Sequence, residues 1–143
     1  MKIVIASDHA GFELKQAIKK NFTEGFEWLD LGTDSLDSVD YPDFGEAMAK
    51  AIKNKDAERG IIVCGTGIGI SIAANRYAAV RAALCTSPEM AALAREHNDA
   101  NVLALGARIT GFDTAMDCVD TFMKTDFAGG RHKRRIEKLD QGL

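Results

Sequence analysis

No apolar run in this 143-residue chain approaches the roughly 20 residues that a helix needs to cross a bilayer. That excludes a helical membrane protein. The start, Met1-Lys2-Ile3-Val4-Ile5, lacks the small-residue cleavage site of a signal peptide, so secretion is not expected. Cysteine is scarce. Cys64, Cys85 and Cys118 are odd in number and far apart, which argues against a disulfide framework and points to a reducing cytoplasm. Excess charge is lacking too: 18 Lys and Arg against 21 Asp and Glu leave a net charge of −3, so bulk electrostatics do not suggest a nucleic-acid binder. The histidines, His9, His97 and His132, are too widely spaced to suggest a metal set. Repeats, low-complexity segments and linkers are absent. What is present is 46% hydrophobic residues, spread along the chain. That is enough for a core, and the length suits a single domain over residues 1–143.

The stretch that organises the chain is Ile61 to Arg76, IIVCGTGIGISIAANR. An apolar run ends in Cys64, three glycines follow at alternate positions (Gly65, Gly67 and Gly69), and a small-residue segment then starts that can be helical. This is the pattern of a strand, a glycine loop and a helix. Such a loop lies at the carboxyl end of its strand, where open α/β sheets keep their ligands. Its amides and the helix start favour a phosphate, a carboxylate or a developing oxyanion. Two familiar motifs fail on spacing. A dinucleotide loop needs glycine at Ile70 or Ile72, and a P-loop needs Lys followed by Ser or Thr. The loop is a generic anion cradle with a thiol at its mouth.

The rest of the chain alternates strand and helix patterns. Strands are expected over Lys2–Ala6, Trp28–Leu31, Gly60–Val63, Val80–Cys85 and Asn101–Leu105. A helix after Gly11 places Leu14, Ala17 and Ile18 on one face with lysines opposite. The segment from Gly32 to Pro42 carries Asp34, Asp37 and Asp40 and reads as a solvated acidic loop, since calcium ligand spacing is missing. A further helix covers Phe44 to Lys53. Ser87-Pro88 starts another, which ends near His97-Asn98, and Thr110-Gly111-Phe112-Asp113 reads as a capping box. Gly129-Gly130 breaks the chain before a basic terminal helix at about residues 130–140. This alternation implies an α/β fold, a parallel sheet covered on both faces. His9, Cys64 and Thr66 each follow a strand, so they share one rim.

Cys85 and Cys118 read as buried core cysteines. Cys64 differs in that an anion-binding loop follows it at once, an environment that favours thiolate. Asp8 and Gly11 flank His9 in a loop after a strand, and His97 lies at a helix end. In the basic run Arg131-His132-Lys133-Arg134-Arg135, the first and last arginines are four apart and share a helix face. Two guanidiniums so placed suit a small phosphorylated ligand.

Together these residues resemble a known family, the type B ribose-5-phosphate isomerases, within a group that includes allose-6-phosphate and galactose-6-phosphate isomerases. The matching motifs are Ser7-Asp8-His9-Ala10-Gly11, Asp40-Tyr41-Pro42-Asp43, Cys64-Gly65-Thr66-Gly67-Ile68-Gly69, Glu96-His97-Asn98-Asp99-Ala100-Asn101 and Gly129-Gly130-Arg131-His132. They occur in order over nearly the whole chain. The resemblance implies a three-layer α/β/α, Rossmann-like single domain with a five-stranded parallel sheet of order 2-1-3-5-4. It also implies a homodimer, or a tetramer of paired dimers, with sites at the subunit interface, and a cytoplasmic isomerase that needs no cofactor and no metal. The reaction implied interconverts D-ribose 5-phosphate and D-ribulose 5-phosphate through a cis-enediolate.

By the same resemblance Cys64 is the base, Thr66 binds near the reacting oxygens, and His97 with Asp8 opens the furanose ring. The amides from Gly65 to Ile70, those of Gly67, Ile68 and Gly69 among them, hold the enediolate, and Asn98 holds sugar hydroxyls. His9, Arg131 and Arg135 bind the phosphate, with Arg108 a fourth ligand. Some relatives replace the cysteine by a glutamate beyond the glycine loop. Here Ser71 to Tyr77 contains no Glu, in keeping with the cysteine form. A hexose 6-phosphate isomerase on the same scaffold and a non-catalytic sugar-phosphate sensor are the alternative readings.

Overall fold

A computed structural model of the chain describes residues 1–141. Five strands, β1 (Lys2–Ser7), β2 (Glu27–Asp30), β3 (Arg59–Cys64), β4 (Ala82–Leu84) and β5 (Val102–Gly106), alternate with six helices, α1 (Phe12–Asn21), α2 (Tyr41–Lys53), α3 (Ile68–Asn75), α4 (Pro88–Asn98), α5 (Phe112–Lys124) and α6 (Arg131–Gln141). All strand pairs are parallel, in the order β2-β1-β3-β5-β4. The expected sheet is therefore the observed one.

Both faces of the sheet are buried, which is why its central strands are apolar throughout rather than alternating. Successive side chains still point to opposite faces. Ile3, Ile5, Ile61, Val63, Leu103 and Leu105 pack with α1, α4 and α5. Val4, Ala6, Ile62, Cys64, Val102 and Ala104 pack with α2 and α3. The Cys64 side chain thus leaves the strand on the α2/α3 face, at the rim where β3 ends.

Four details differ from the sequence reading. Helix α2 begins at Tyr41, three residues early, because Pro42 falls in its first turn, where its missing N–H costs nothing. The capping box at Thr110 does not form. Gly111 is the N-cap, and the buried Thr110 hydroxyl has no partner among the described residues. Strand β4 is only three residues long, as suits a sheet edge. Asn75 covers that edge: its Nδ2 donates to the Ala82 carbonyl (2.9 Å) and its Oδ1 accepts from the Ala82 amide (2.7 Å).

The fourth detail is Lys15, expected on the solvent side of α1 and instead 1% exposed. Its ammonium donates to both Asp30 oxygens (2.7 and 2.8 Å) and to the Thr33 carbonyl (2.6 Å), so the buried charge is fully partnered. Lys19 also reaches Asp30, at 2.8 Å. Burial raises the Asp30 pKa, but the two lysines and the Gly32 amide outweigh it and hold the carboxyl below its usual range. A group with a lowered folded pKa stabilises the fold above its unfolded pKa, and that stability is lost as pH falls through the folded value. Asp30→Asn should therefore lower the urea midpoint at pH 7, by on the order of 3 kcal/mol of stability, because it strands a buried ammonium. The gap from wild type should close as the pH drops below the carboxylate range. Parallel urea curves at pH 7 and pH 3 check both points.

Candidate active site

The carboxyl ends of β1, β3 and β5 bring together Asp8, His9, Cys64 and the glycine loop. The polypeptide there is held closely. The Ala107 amide donates to the Cys64 carbonyl and the Arg108 amide to the Gly65 carbonyl, each at 2.9 Å. Gly67 caps α3 with φ +79°, a conformation that disfavours other residues. A Cβ there would also lie 2.5 Å from Leu84 Cδ1 and 2.9 Å from the Leu105 carbonyl carbon. At Gly69 the obstacle is Tyr41, whose ring would sit 2.6 Å from a Cβ.

The loop amides are partly used by the loop itself. Gly67 N–H donates to Cys64 Sγ at 3.2 Å, and Ile68 N–H to Thr66 Oγ1 at 3.1 Å. The first contact points a backbone donor at the sulfur. The Gly69 and Ile70 amides, also in the first turn of α3, have no partner within that helix. Cys64 is 5% exposed, while Thr66 is open to solvent. Asp8 is buried and its Oδ1 accepts from the Gly11 amide at 3.1 Å. His9 Nδ1 accepts from the Val39 amide at 3.2 Å. Arg108 lies over the loop, its Nη1 3.2 Å from where a Gly65 Cβ would be.

The other cysteines are placed differently. Burial, with Cys118 beside it, pushes the Cys85 thiol up to about 12. Burial, with Asp117 and Glu89 adding, pushes Cys118 up to about 11. Both remain thiols near neutral pH, which leaves Cys64 as the candidate for chemistry.

A second cluster forms elsewhere. His97 stacks on His132, with ring centroids 4.4 Å apart and planes at 17°. Asn98, Arg131 and Arg135 stand exposed around the pair. Partial desolvation in the stack, the His97 ring and the Arg131 and Arg135 guanidiniums all push His132 below its usual range. Behind the cluster, buried Arg95 ties down the end of α4. It donates to Asp99 Oδ1 (2.8 Å), the Ala100 carbonyl (2.7 Å) and the Thr125 carbonyl (3.0 Å). Asp99 takes the left-handed conformation, φ +45°, that stops the helix just after Asn98.

The two clusters lie at opposite ends of the strands. Helix α4 runs back from the carboxyl rim, so His97 and Asn98 arrive where β5 starts. Asn101, three residues later, accepts from Gly60 at the start of β3 through its carbonyl. Cys64 is at the far end of that strand, four residues beyond Gly60 and about 13 Å from it at the usual rise. Within one chain the structure therefore gathers Asp8, His9, Cys64, Thr66, Gly65, Gly67, Ile68, Gly69 and Arg108. It separately gathers His97, Asn98, Arg131 and Arg135. Asp8 is not beside His97 in a single chain. Two residues were missing from the sequence-based set. His132 follows Arg131 directly, and helical spacing carried no sign that it would meet His97. Tyr41 sits in the Asp40–Asp43 motif, and nothing in that motif says its ring lies on Gly69.

The comparisons with known proteins agree with this architecture. Residues 3–139 match the model of a family described as Ribose/Galactose Isomerase. Ribose-5-phosphate isomerase B of Escherichia coli K12 is 44% identical over 139 residues, covering 96% of this chain and 93% of its own. A solved structure of Clostridium thermocellum ribose-5-phosphate isomerase B superposes with a TM-score of 0.97 at 53% identity, covering 99% of this chain and 96% of its own. Ribose-5-phosphate isomerase B of Mycoplasma genitalium, solved with bound ribulose-5-phosphate, gives 0.93 at 46% identity, covering 99% and 95%. The chain belongs to the ribose/galactose isomerase family.

Proposed function

We propose that the protein interconverts D-ribose 5-phosphate and D-ribulose 5-phosphate in the cytoplasm, as a homodimer or a pair of dimers. The observation that carries this reading is the Cys64 sulfur at the mouth of the glycine loop, 3.2 Å from an amide that points at it. The bound ribulose-5-phosphate of the Mycoplasma genitalium relative supports the substrate class.

The chemistry follows from the two clusters. His97 of one protomer and Asp8 of the other move a proton from the anomeric hydroxyl to the ring oxygen, and the ring opens. The Cys64 thiolate takes the proton from C2, and the electron pair moves into a C1–C2 double bond. The charge this places on oxygen is received by the loop amides and by Thr66, which suits donors aimed at an enediolate rather than at the starting carbonyl. The thiol returns its proton to C1 while a hydroxyl proton passes from O2 to O1, giving the ketose. Asn98 holds sugar hydroxyls. His9 and Arg108 reach the phosphate from one edge and Arg131 and Arg135 from the other. His132, stacked on His97, fixes that ring.

The separation of the clusters means that a single chain is an incomplete site. Two copies related by a twofold axis would bring the thiol edge of each to the imidazole edge of its partner. Ile68 and Ile72, one helical turn apart on α3 and 52% and 56% exposed beside the glycine loop, are an apolar surface suited to that contact.

Turnover of ribose 5-phosphate and allose 6-phosphate, measured side by side with chelator present, tests the reading. Clear preference for the pentose is expected. Preference for the hexose changes the substrate, and turnover of neither would overturn the proposed activity. Arg135→Ala should raise KM for ribose 5-phosphate about tenfold to a hundredfold, the usual worth of a hydrogen bond between charged groups, with little change in kcat. A fall confined to kcat would contradict the phosphate role.

A further inference from the structure

His9 is held by a group far from it in sequence. The Val39 amide, 30 residues on, donates to His9 Nδ1 at 3.2 Å. A backbone N–H can only donate, so the nitrogen facing it must carry a lone pair. In the neutral ring the proton is then on Nε2, the nitrogen directed away from Val39. Val39 belongs to the segment between β2 and α2, and the start of that segment is tied to the same strand end. Ser7 N–H donates to the Gly32 carbonyl (2.8 Å), and Thr33 N–H to the Ser7 carbonyl (2.7 Å). The Lys15 ammonium donates to the Thr33 carbonyl. Both ends of the stretch from Gly32 to Val39 are thus fastened around the loop that carries His9, although Asp34, Leu36, Asp37 and Ser38 between them are exposed.

We propose that the Val39 amide is a positioning group for the substrate, fixing His9 as a neutral Nε2–H donor aimed at the phosphate. The acidic-looking segment from Gly32 to Asp40 is then part of the recognition apparatus and not a passive connection. This rests on the phosphate reading of His9 given above. It adds that His9 contributes a directed hydrogen bond, and that the positive charge at the phosphate comes from the arginines. The split is economical, since a fixed neutral donor loses little freedom on binding.

The test uses the whole protein labelled with 15N at histidine, with long-range proton–nitrogen spectra assigned through His9→Ala. Wild type should show His9 with a bare Nδ1 and a protonated Nε2. A protonated Nδ1 would overturn the inference without any variant. Val39→Pro removes the donor, and Val39→Ala keeps it while trimming the side chain. If the freed ring holds the binding orientation a third of the time, KM for ribose 5-phosphate rises about threefold, because apparent affinity scales with the competent fraction. The kcat should stay near wild type, and Val39→Ala should leave both constants unchanged. In a His9→Ala background Val39→Pro should add nothing. If His9→Ala raises KM but Val39→Pro does not, the positioning inference falls and the phosphate reading stands. If His9→Ala itself leaves KM unchanged, the phosphate reading falls, and the positioning role falls with it.

Discussion

Cys64→Ala is expected to lower turnover of ribose 5-phosphate by about 10³-fold or more, within the range supplied by a positioned acid–base group. The protein should nevertheless fold and bind. The Cys64 side chain is small and 5% exposed, packed on the α2/α3 face of the sheet. Removing its sulfur costs about 1 kcal/mol, the typical value for a point substitution. The partners lost are few: the sulfur accepts one amide, from Gly67, and α3 keeps its remaining turn. Binding of a sugar phosphate, followed by calorimetry, should change little, because no proposed phosphate ligand is touched. Cys85 and Cys118 cannot substitute. Both are buried on the opposite face, and burial holds their thiols protonated. Near-normal turnover by Cys64→Ala would remove the thiol from the mechanism and leave the glycine loop to act with some other base.

A heterodimer of one Cys64→Ala chain and one His97→Ala chain should recover about half of wild-type activity, although each variant alone is nearly inactive. The reason is geometric. His97 and Cys64 stand at opposite ends of the strands, and β3 alone puts four residue steps between Gly60, which meets Asn101, and Cys64. In the proposed twofold dimer each site would take its thiol from one chain and its imidazole from the other. One site of the heterodimer then carries both substitutions, and the second carries neither. If both groups acted from the same chain, each site would carry one substitution and the heterodimer would be as inactive as its parents. Co-expression with two affinity tags, followed by purification over both, isolates the mixed species for assay. The experiment therefore reads the assembly of the site directly.

Much of the thiol half of the site could be read locally. Gly65, Gly67 and Gly69 directly follow Cys64 after an apolar run, and the order of strand, loop and helix depends on neighbours in sequence. The placement of His9, Cys64 and Thr66 on one rim follows from the rule that strands of a parallel sheet end on one side. The strand order came from likeness of motifs to a family, because periodicity says which residues are strand without saying which strands touch. Boundaries slipped where one residue decides them. Pro42 drew α2 back to Tyr41, and Gly111 displaced Thr110 from the cap.

What the sequence by itself determined is the class of fold and the chemistry available at the carboxyl rim, since both follow from patterns a few residues long. The tertiary structure alone decided which of those groups can meet. It buried Lys15 against Asp30, laid Tyr41 on Gly69, stacked His132 on His97 and turned His9 toward Val39. Each contact joins residues from 15 to 35 positions apart, and none is a repeat of any helical or strand period. They arise only when helices pack on the sheet and fix loop ends in space. The same packing sends the end of α4 away from Cys64, so one folded chain keeps the thiol cluster and the imidazole cluster apart.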